Sequence, residues 1–129
     1  MDEETISQYL LGKAEATRDY PFGPEVSVFR VEGKMFALLS SDAEGLLRVN
    51  LKCDPDEANA LRHLLPAVIP GYHMNKKHWN TVLLDGSIPP AELERMIDNS
   101  WFLVVKGLKK SSRDRLESKT GQKPSYRPF

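Results

Sequence analysis

The stretch Leu46-Leu47-Arg48-Val49-Asn50-Leu51-Lys52-Cys53-Asp54-Pro55-Asp56-Glu57 changes its hydrophobic period halfway along. Up to Lys52 it alternates. Leu47, Val49 and Leu51 point one way and Arg48, Asn50 and Lys52 the other, the period-two pattern of a strand with one buried face. From Asp54 the pattern is that of a helix start: Asp54 can cap, Pro55 suits the first helical position, and Glu57 completes a capping box. Ala58, Leu61, Leu64 and Leu65 then line one side until Pro66 ends the helix. Strand and helix in direct succession point to a mixed α and β protein.

Working upstream, Glu25–Val31 and Lys34–Ser41 read as strands joined by a Glu32-Gly33 turn. Ser41-Asp42-Ala43-Glu44-Gly45 turns the chain again into Leu46–Lys52. Two short turns between three strands predict an antiparallel meander with one wet face. Ala16 to Pro24 is rich in breakers and reads as a loop, while Ile6, Tyr9 and Leu10 within Glu3–Lys13 have helical spacing. Downstream, Val68–Tyr72 is a short strand and Trp79–Leu84 a better one, closed by Asp85-Gly86. A last helix opens at Ser87-Ile88-Pro89-Pro90, with Leu93, Met96, Ile97, Trp101, Val104, Val105 and Leu108 three and four residues apart. This stripe is core, because a small sheet needs one long helix to cover it. The order α-β-β-β-α-β-β-α predicts an α+β fold in two layers, a mostly antiparallel five-stranded sheet covered by helices. After Leu108 the apolar pattern stops, so residues 1–109 read as the domain and residues 110–129 as a basic, polar C-terminal extension outside the core.

A chain of 129 residues is long enough for one core and needs no metal or disulfide to hold it. Cys53, its one cysteine, has no internal disulfide partner. No apolar run approaches the roughly 18 residues of a membrane span, and Met1-Asp2-Glu3-Glu4 is the opposite of a signal peptide. The expectation is a cytoplasmic protein that does not enter membranes.

Formal net charge is zero but unevenly spread. Residues 1–102 carry ten Lys and Arg against sixteen Asp and Glu, a net of −6; residues 103–129 carry eight against two, a net of +6. The basic end (Lys106, Lys109, Lys110, Arg113, Arg115, Lys119, Lys123 and Arg127) permits a polyanion partner there, or serves as a solubilising tail.

Catalytic patterns are lacking. His78 and Asp85 lie at opposite ends of one strand, about 23 Å apart by strand rise. Cys53 stands beside Asp54, whose charge disfavours a thiolate, although a helix start would favour one. Gly33, Gly45, Gly71 and Gly86 read as turn glycines, with no phosphate-cradling loop among them. His73 and His78 are five apart, neither one helical face nor a zinc hairpin. No enzyme activity, metal or cofactor is expected.

The most distinctive segment is Gly71-Tyr72-His73-Met74-Asn75-Lys76-Lys77-His78-Trp79-Asn80-Thr81-Val82-Leu83-Leu84-Asp85-Gly86-Ser87, followed by Met96-Ile97-Asp98-Asn99-Ser100-Trp101. With its Asn-Lys-x-His-Trp core, strand and Asp-Gly-Ser turn, it resembles the MmcQ/YjbR family of small bacterial proteins over roughly residues 3–109. The resemblance implies an α-β3-α-β2-α arrangement related to secretion chaperones, with hairpins in a "double wing". It also implies a DNA-binding role inherited from that shape.

On this basis the candidate nucleic-acid contacts are Asn75, Lys76, Lys77 and His78 in one exposed loop, Arg48 and Lys52 on the third strand of the meander, and Lys109, Lys110 and Arg113 in the extension. The partner would be double-stranded DNA, its phosphates met by Lys, Arg and Asn donors. The alternative is a protein- or peptide-interaction module, chaperone-like or homodimeric, using an open sheet edge and the aromatic Tyr20-Pro21-Phe22 and Tyr126-Arg127-Pro128-Phe129 segments. For Trp79 the packing role is the simpler reading.

Overall fold

The computed structural model describes residues 1–120 and 125–129. Helix α1 (Glu3–Leu11) is followed by strands β1 (Ala16–Asp19), β2 (Ser27–Val31), β3 (Lys34–Ser41) and β4 (Leu47–Lys52). Then come α2 (Pro55–Leu64), β5 (Val68–Pro70), β6 (Trp79–Leu83), α3 (Pro90–Lys106) and α4 (Lys110–Thr120). The fold is α+β: one open, antiparallel sheet in the order β1-β2-β3-β4-β6-β5, with four helices among the described residues.

Local chemistry explains the elements. Glu32 and Gly33 take φ of 51° and 76°, the two left-handed positions of a two-residue hairpin turn, and join β2 to β3. Asp54 caps α2 by accepting from the amides of Asp56 (3.1 Å) and Glu57 (3.3 Å). Glu57 does not complete the expected box; its carboxylate turns instead to Arg95 on α3.

All helices lie on one face. Ile6 and Leu10 of α1, Ala58 and Leu61 of α2, and Leu93, Ile97 and Trp101 of α3 join Phe29, Val31, Leu39, Val49, Leu51 and Val82 in a single buried cluster. A register shift between Phe29 and Arg30 places an extra residue in β3. Phe36 and Ala37 are consecutive yet both fully buried in this core, which a bulge permits and strict alternation does not. At the same place Ser100 of α3 accepts from the Lys52 amide (2.8 Å) and donates to the Phe36 carbonyl (2.5 Å), joining helix to sheet.

Three expectations are corrected. The sheet has six strands, because Ala16–Asp19, read as loop, pairs with Val28–Val31 at the edge. Its side chains are mostly exposed, so no alternation marked it. The extension is not wholly outside the core: α4 buries Ser112 and Leu116, and Leu116 is fully enclosed within the main cluster. The face away from the helices is not uniformly wet either, for Val28, Asn50 and Thr81 on it are 0 %, 9 % and 0 % exposed. Lys123 lies outside the described residues.

Candidate functional site

The segment from Gly71 to His78 folds over the open face of the sheet and is held by its backbone. Tyr72 donates its amide to Thr81 Oγ1 (2.9 Å), and its carbonyl accepts from Asn50 Nδ2 (3.1 Å). Thr81 in turn donates its hydroxyl to Asn50 Oδ1. The loop closes through Asn75, whose side chain accepts from the Lys77 amide (2.9 Å) and whose carbonyl accepts from the amides of His78 (3.2 Å) and Trp79 (3.0 Å). His73 sits at φ 58°, a left-handed position that reverses the chain. From below, Arg62 of α2 donates to Asn80 Oδ1 (2.7 Å) and to the carbonyls of Trp79 (3.2 Å) and Lys76. Trp79 is half-buried and supports the loop from its base.

This arrangement leaves cations outward. Lys76 and Lys77 are exposed. Lys76 Nζ gives one bond to the Gly71 carbonyl (3.2 Å) and keeps two further N–H donors. Arg48 and Lys52 alternate with the buried Val49, Leu51 and Cys53, so they occupy the loop's side of β4. None of Arg48, Lys52, Lys76 and Lys77 has a carboxylate within ion-pairing distance among the described residues. The Arg48 guanidinium stacks on Tyr72, 4.4 Å from the ring centre.

Beside these cations the open face carries a cleft of about 460 Å³. Its floor is Val26, Met35, Leu38, Ser40 and Asn50, and its walls are Phe22, Tyr72, His73 and Met74. Phe22 and Tyr72 are 65 % and 48 % exposed, unusual for large aromatic side chains. Tyr72 and His73 have ring centres 4.0 Å apart. The cleft can hold a flat or apolar group, with positive charge at its margin.

The nine candidate residues separate into two groups. Arg48, Lys52, Asn75, Lys76, Lys77 and His78 gather around the open face, although Asn75 and the His78 main chain serve the turn, and the His78 carbonyl accepts from the Cys53 amide (2.8 Å). Lys109, Lys110 and Arg113 lie at α4, whose Leu116 enters the core on the opposite side of the sheet. Lys110 pairs with Asp114 (2.8 Å), and Arg113 Nε is enclosed without a hydrogen-bond partner among the described residues. Other cations of the basic end turn inward: Arg115 bridges Glu15 and Glu32, Lys119 reaches Glu15 (3.5 Å), and Arg127 reaches Asp98 (2.5 Å). Much of the charge asymmetry in the sequence is therefore answered within the molecule.

Sequence reasoning missed Arg62, Tyr72 and the floor of the cleft. The aromatic Tyr20-Pro21-Phe22 segment was a signal for Phe22, whereas Arg62 looked like an ordinary charged residue at a helix end. Among the described residues no His, Cys, Asp and Glu side chains group as a metal site, and no helix is long and apolar enough to cross a membrane.

Comparison with known proteins agrees with this architecture. The chain is 45 % identical over 97 residues to the uncharacterized protein YbdF of Escherichia coli O157:H7, spanning 75 % of this chain and 79 % of that one. It is 33 % identical over 108 residues to the uncharacterized protein YjbR of Escherichia coli K12, spanning 84 % and 91 %. A crystal structure of a Deinococcus radiodurans protein superposes with a TM-score of 0.81 at 34 % identity, covering 95 % of this chain and 89 % of that one. One from Pseudomonas syringae gives 0.72 at 33 % identity, covering 80 % and 98 %. The YjbR family model matches residues 11–103, across the meander, the Gly71–His78 loop and most of α3, and the chain belongs to the YjbR family.

Proposed function

We propose that this YjbR-family chain is a non-catalytic, cytoplasmic nucleic-acid-binding protein that takes a strand on the open face of its sheet. The observation that carries this reading is that four cations, Arg48, Lys52, Lys76 and Lys77, have no carboxylate partner among the described residues, while Arg48 stacks on Tyr72, a wall of the cleft shared with Phe22 and His73. Lys and Arg donors meet phosphates, and exposed aromatic rings offer bases a surface for stacking. A duplex keeps its bases stacked internally and would use only the cations. A single strand could use both, so it is the favoured partner. The basic end contributes less than its charge suggests, because Arg115, Lys119 and Arg127 already pair with body carboxylates.

The test is fluorescence anisotropy of labelled single-stranded and duplex 20-mers at several salt concentrations. Three to four phosphate contacts should make log K fall against log salt with a slope of roughly −2 to −3 for the single strand. Lys76→Gln with Lys77→Gln should flatten that slope, while Lys109→Gln with Lys110→Gln should leave it nearly unchanged. Lack of salt-sensitive binding to either oligonucleotide defeats the proposal.

A second reading has its own support. Val26, Met35, Leu38 and Met74 give the cleft an apolar part, which suits a hydrophobic side chain of a protein partner or of a second copy. In that case sedimentation or partner titration should report association that salt does not weaken and that Phe22→Ser abolishes.

A further inference from the structure

On the helical side of the sheet, away from the open face, the segment Ser125–Phe129 lies in a cleft between α2 and α3. Both ends of the Asn99 side-chain amide go to the main chain of one residue: Asn99 Oδ1 accepts from the Arg127 amide and Nδ2 donates to the Arg127 carbonyl, each at 2.8 Å. Arg95 donates to the same carbonyl. Asn99 and Arg95 are 3 % and 9 % exposed, so these groups are committed to a peptide backbone where water has little access.

Side-chain recognition accompanies the backbone pairing. Tyr126 enters the cleft and donates its hydroxyl to the Glu57 carboxylate, which also accepts from the Phe129 amide (2.5 Å) and from Arg95 (2.9 Å). The Phe129 ring lies 5.4 Å from the Arg95 guanidinium, and the Arg127 guanidinium reaches Asp98. Pro128 has no N–H to satisfy and favours an extended conformation in the residue before it. Main-chain hydrogen bonds combined with a pocket for one anchoring side chain are the elements of sequence-selective peptide binding.

We propose that the α2–α3 cleft is a recognition site for an extended peptide of the pattern Tyr-Arg-Pro-aromatic, with Ser125–Phe129 as its resident, displaceable occupant. A partner carrying that pattern would compete with the chain's own segment, so binding at this cleft is restrained from within. The site is independent of the open-face reading, since it lies across the sheet and holds the Ser125–Phe129 segment by hydrogen bonds with Glu57, Arg95, Asp98 and Asn99.

A fluorescein-labelled Ser-Tyr-Arg-Pro-Phe peptide is titrated into the full chain and into the full-chain variant Tyr126→Ala. A tethered competitor acts at an effective concentration on the order of millimolar, so the variant is expected to bind the peptide at least about tenfold more tightly than the unmodified chain. Adding Asn99→Ala should weaken that binding about tenfold or more, as should replacing the peptide's tyrosine by phenylalanine, since a hydrogen bond to a charged group is lost or a buried amide left unmatched. Equal affinity of the two chains, or no binding by a folded Tyr126→Ala chain, overturns the proposal. Should that variant not fold, amide exchange on the unmodified chain decides. The Arg127 amide is expected to exchange on the order of a hundredfold more slowly than an open peptide, and an unprotected Arg127 amide overturns the proposal.

Discussion

Thr81 donates its hydroxyl to Asn50 Oδ1 across 2.5 Å, on the sheet face opposite the helices of the described residues. Together the two side chains hold the Tyr72 main chain by its amide and its carbonyl. Thr81→Val preserves shape but leaves the Asn50 oxygen and the Tyr72 amide without their partner. Such groups, buried or nearly so, cost about 1–3 kcal/mol when unsatisfied. Urea unfolding of Thr81→Val should show a loss of that size, and the Tyr72 amide should lose protection from exchange. A cycle with Asn50→Leu should be non-additive by the share of the Asn50–Thr81 bond, which loses both partners at once, while the Tyr72 amide and carbonyl stay unmatched in the double variant. Additive losses would show that the pair does not act as one unit.

Gly71 is a second fixed point of the same loop, for a reason the sequence did not display. Its backbone is not left-handed; the constraint is proximity, since a Cβ at this position would come within 2.8 Å of both the Trp79 Cβ and the Trp79 carbonyl oxygen. The Gly71 amide also donates to that carbonyl (2.9 Å), so the strands cannot separate without losing a hydrogen bond. Gly71→Ala should destabilise the fold by roughly 1–3 kcal/mol, read as a lower urea midpoint. Gly33→Ala would act differently, through φ of 76° with open space around the new methyl. A Gly71→Ala protein as stable as the unmodified chain would show that β5 and β6 can part freely.

The architecture was readable where hydrophobic period and punctuation agreed. Leu47, Val49 and Leu51 fixed the buried face of β4, and Asp54-Pro55 fixed the start of α2. Edge strand β1 escaped because Thr17, Arg18 and Asp19 are exposed, leaving hydrogen bonding to β2 as its main support. Helix α4 escaped for a related reason: it buries little beyond Ser112 and Leu116, too little to print a stripe. The open-face cations were legible as a group, because Arg48 and Lys52 share a strand face and Lys76 and Lys77 share a loop. The cleft beside them was not, since it joins Phe22, Leu38 and Tyr72 from separate segments. Nor does composition show that Arg115 returns to Glu15 and Glu32, which requires knowing where α4 packs.

That return makes α4 sensitive to acid. The hydrogen bond from Arg115, with its charge and that of Lys119 adding to it, holds the Glu15 carboxyl below its usual value of 4.5 against the opposing cost of desolvation. A lowered carboxyl favours the folded state above the unfolded value and loses that contribution as pH falls through the folded one. Amide protection in α4 should therefore decline as pH drops below about 4.5, with a smaller decline in Glu15→Gln, and added salt should weaken it at neutral pH. The pairs are exposed, so the change should appear as local opening of α4. Unchanged protection down to pH 3 would mean that Leu116 alone holds the helix.

Cys53 provides a reporter of the opposite face of the molecule. Burial pushes its thiol up to about 11, with the charges of Glu57 and Asp54 adding to the effect against the Tyr126 hydroxyl, 3.7 Å away, which lowers it. At pH 8 a shift from 9 to 11 reduces the thiolate fraction about a hundredfold, and enclosure by the Ser125–Phe129 segment slows access further. Reaction with a thiol reagent should thus be at least that much slower than for a free cysteine, and should accelerate in Tyr126→Ala, where the lid side chain is gone. The sign on stability follows. A raised acidic group favours the folded state below its unfolded value near 9 and loses that contribution as pH climbs toward 11. Alkaline unfolding should accordingly begin earlier in the native protein than in Cys53→Ala once the two are compared relative to their neutral-pH stabilities. Rapid labelling of the native thiol at pH 8 would show that Tyr126 does not close the cleft.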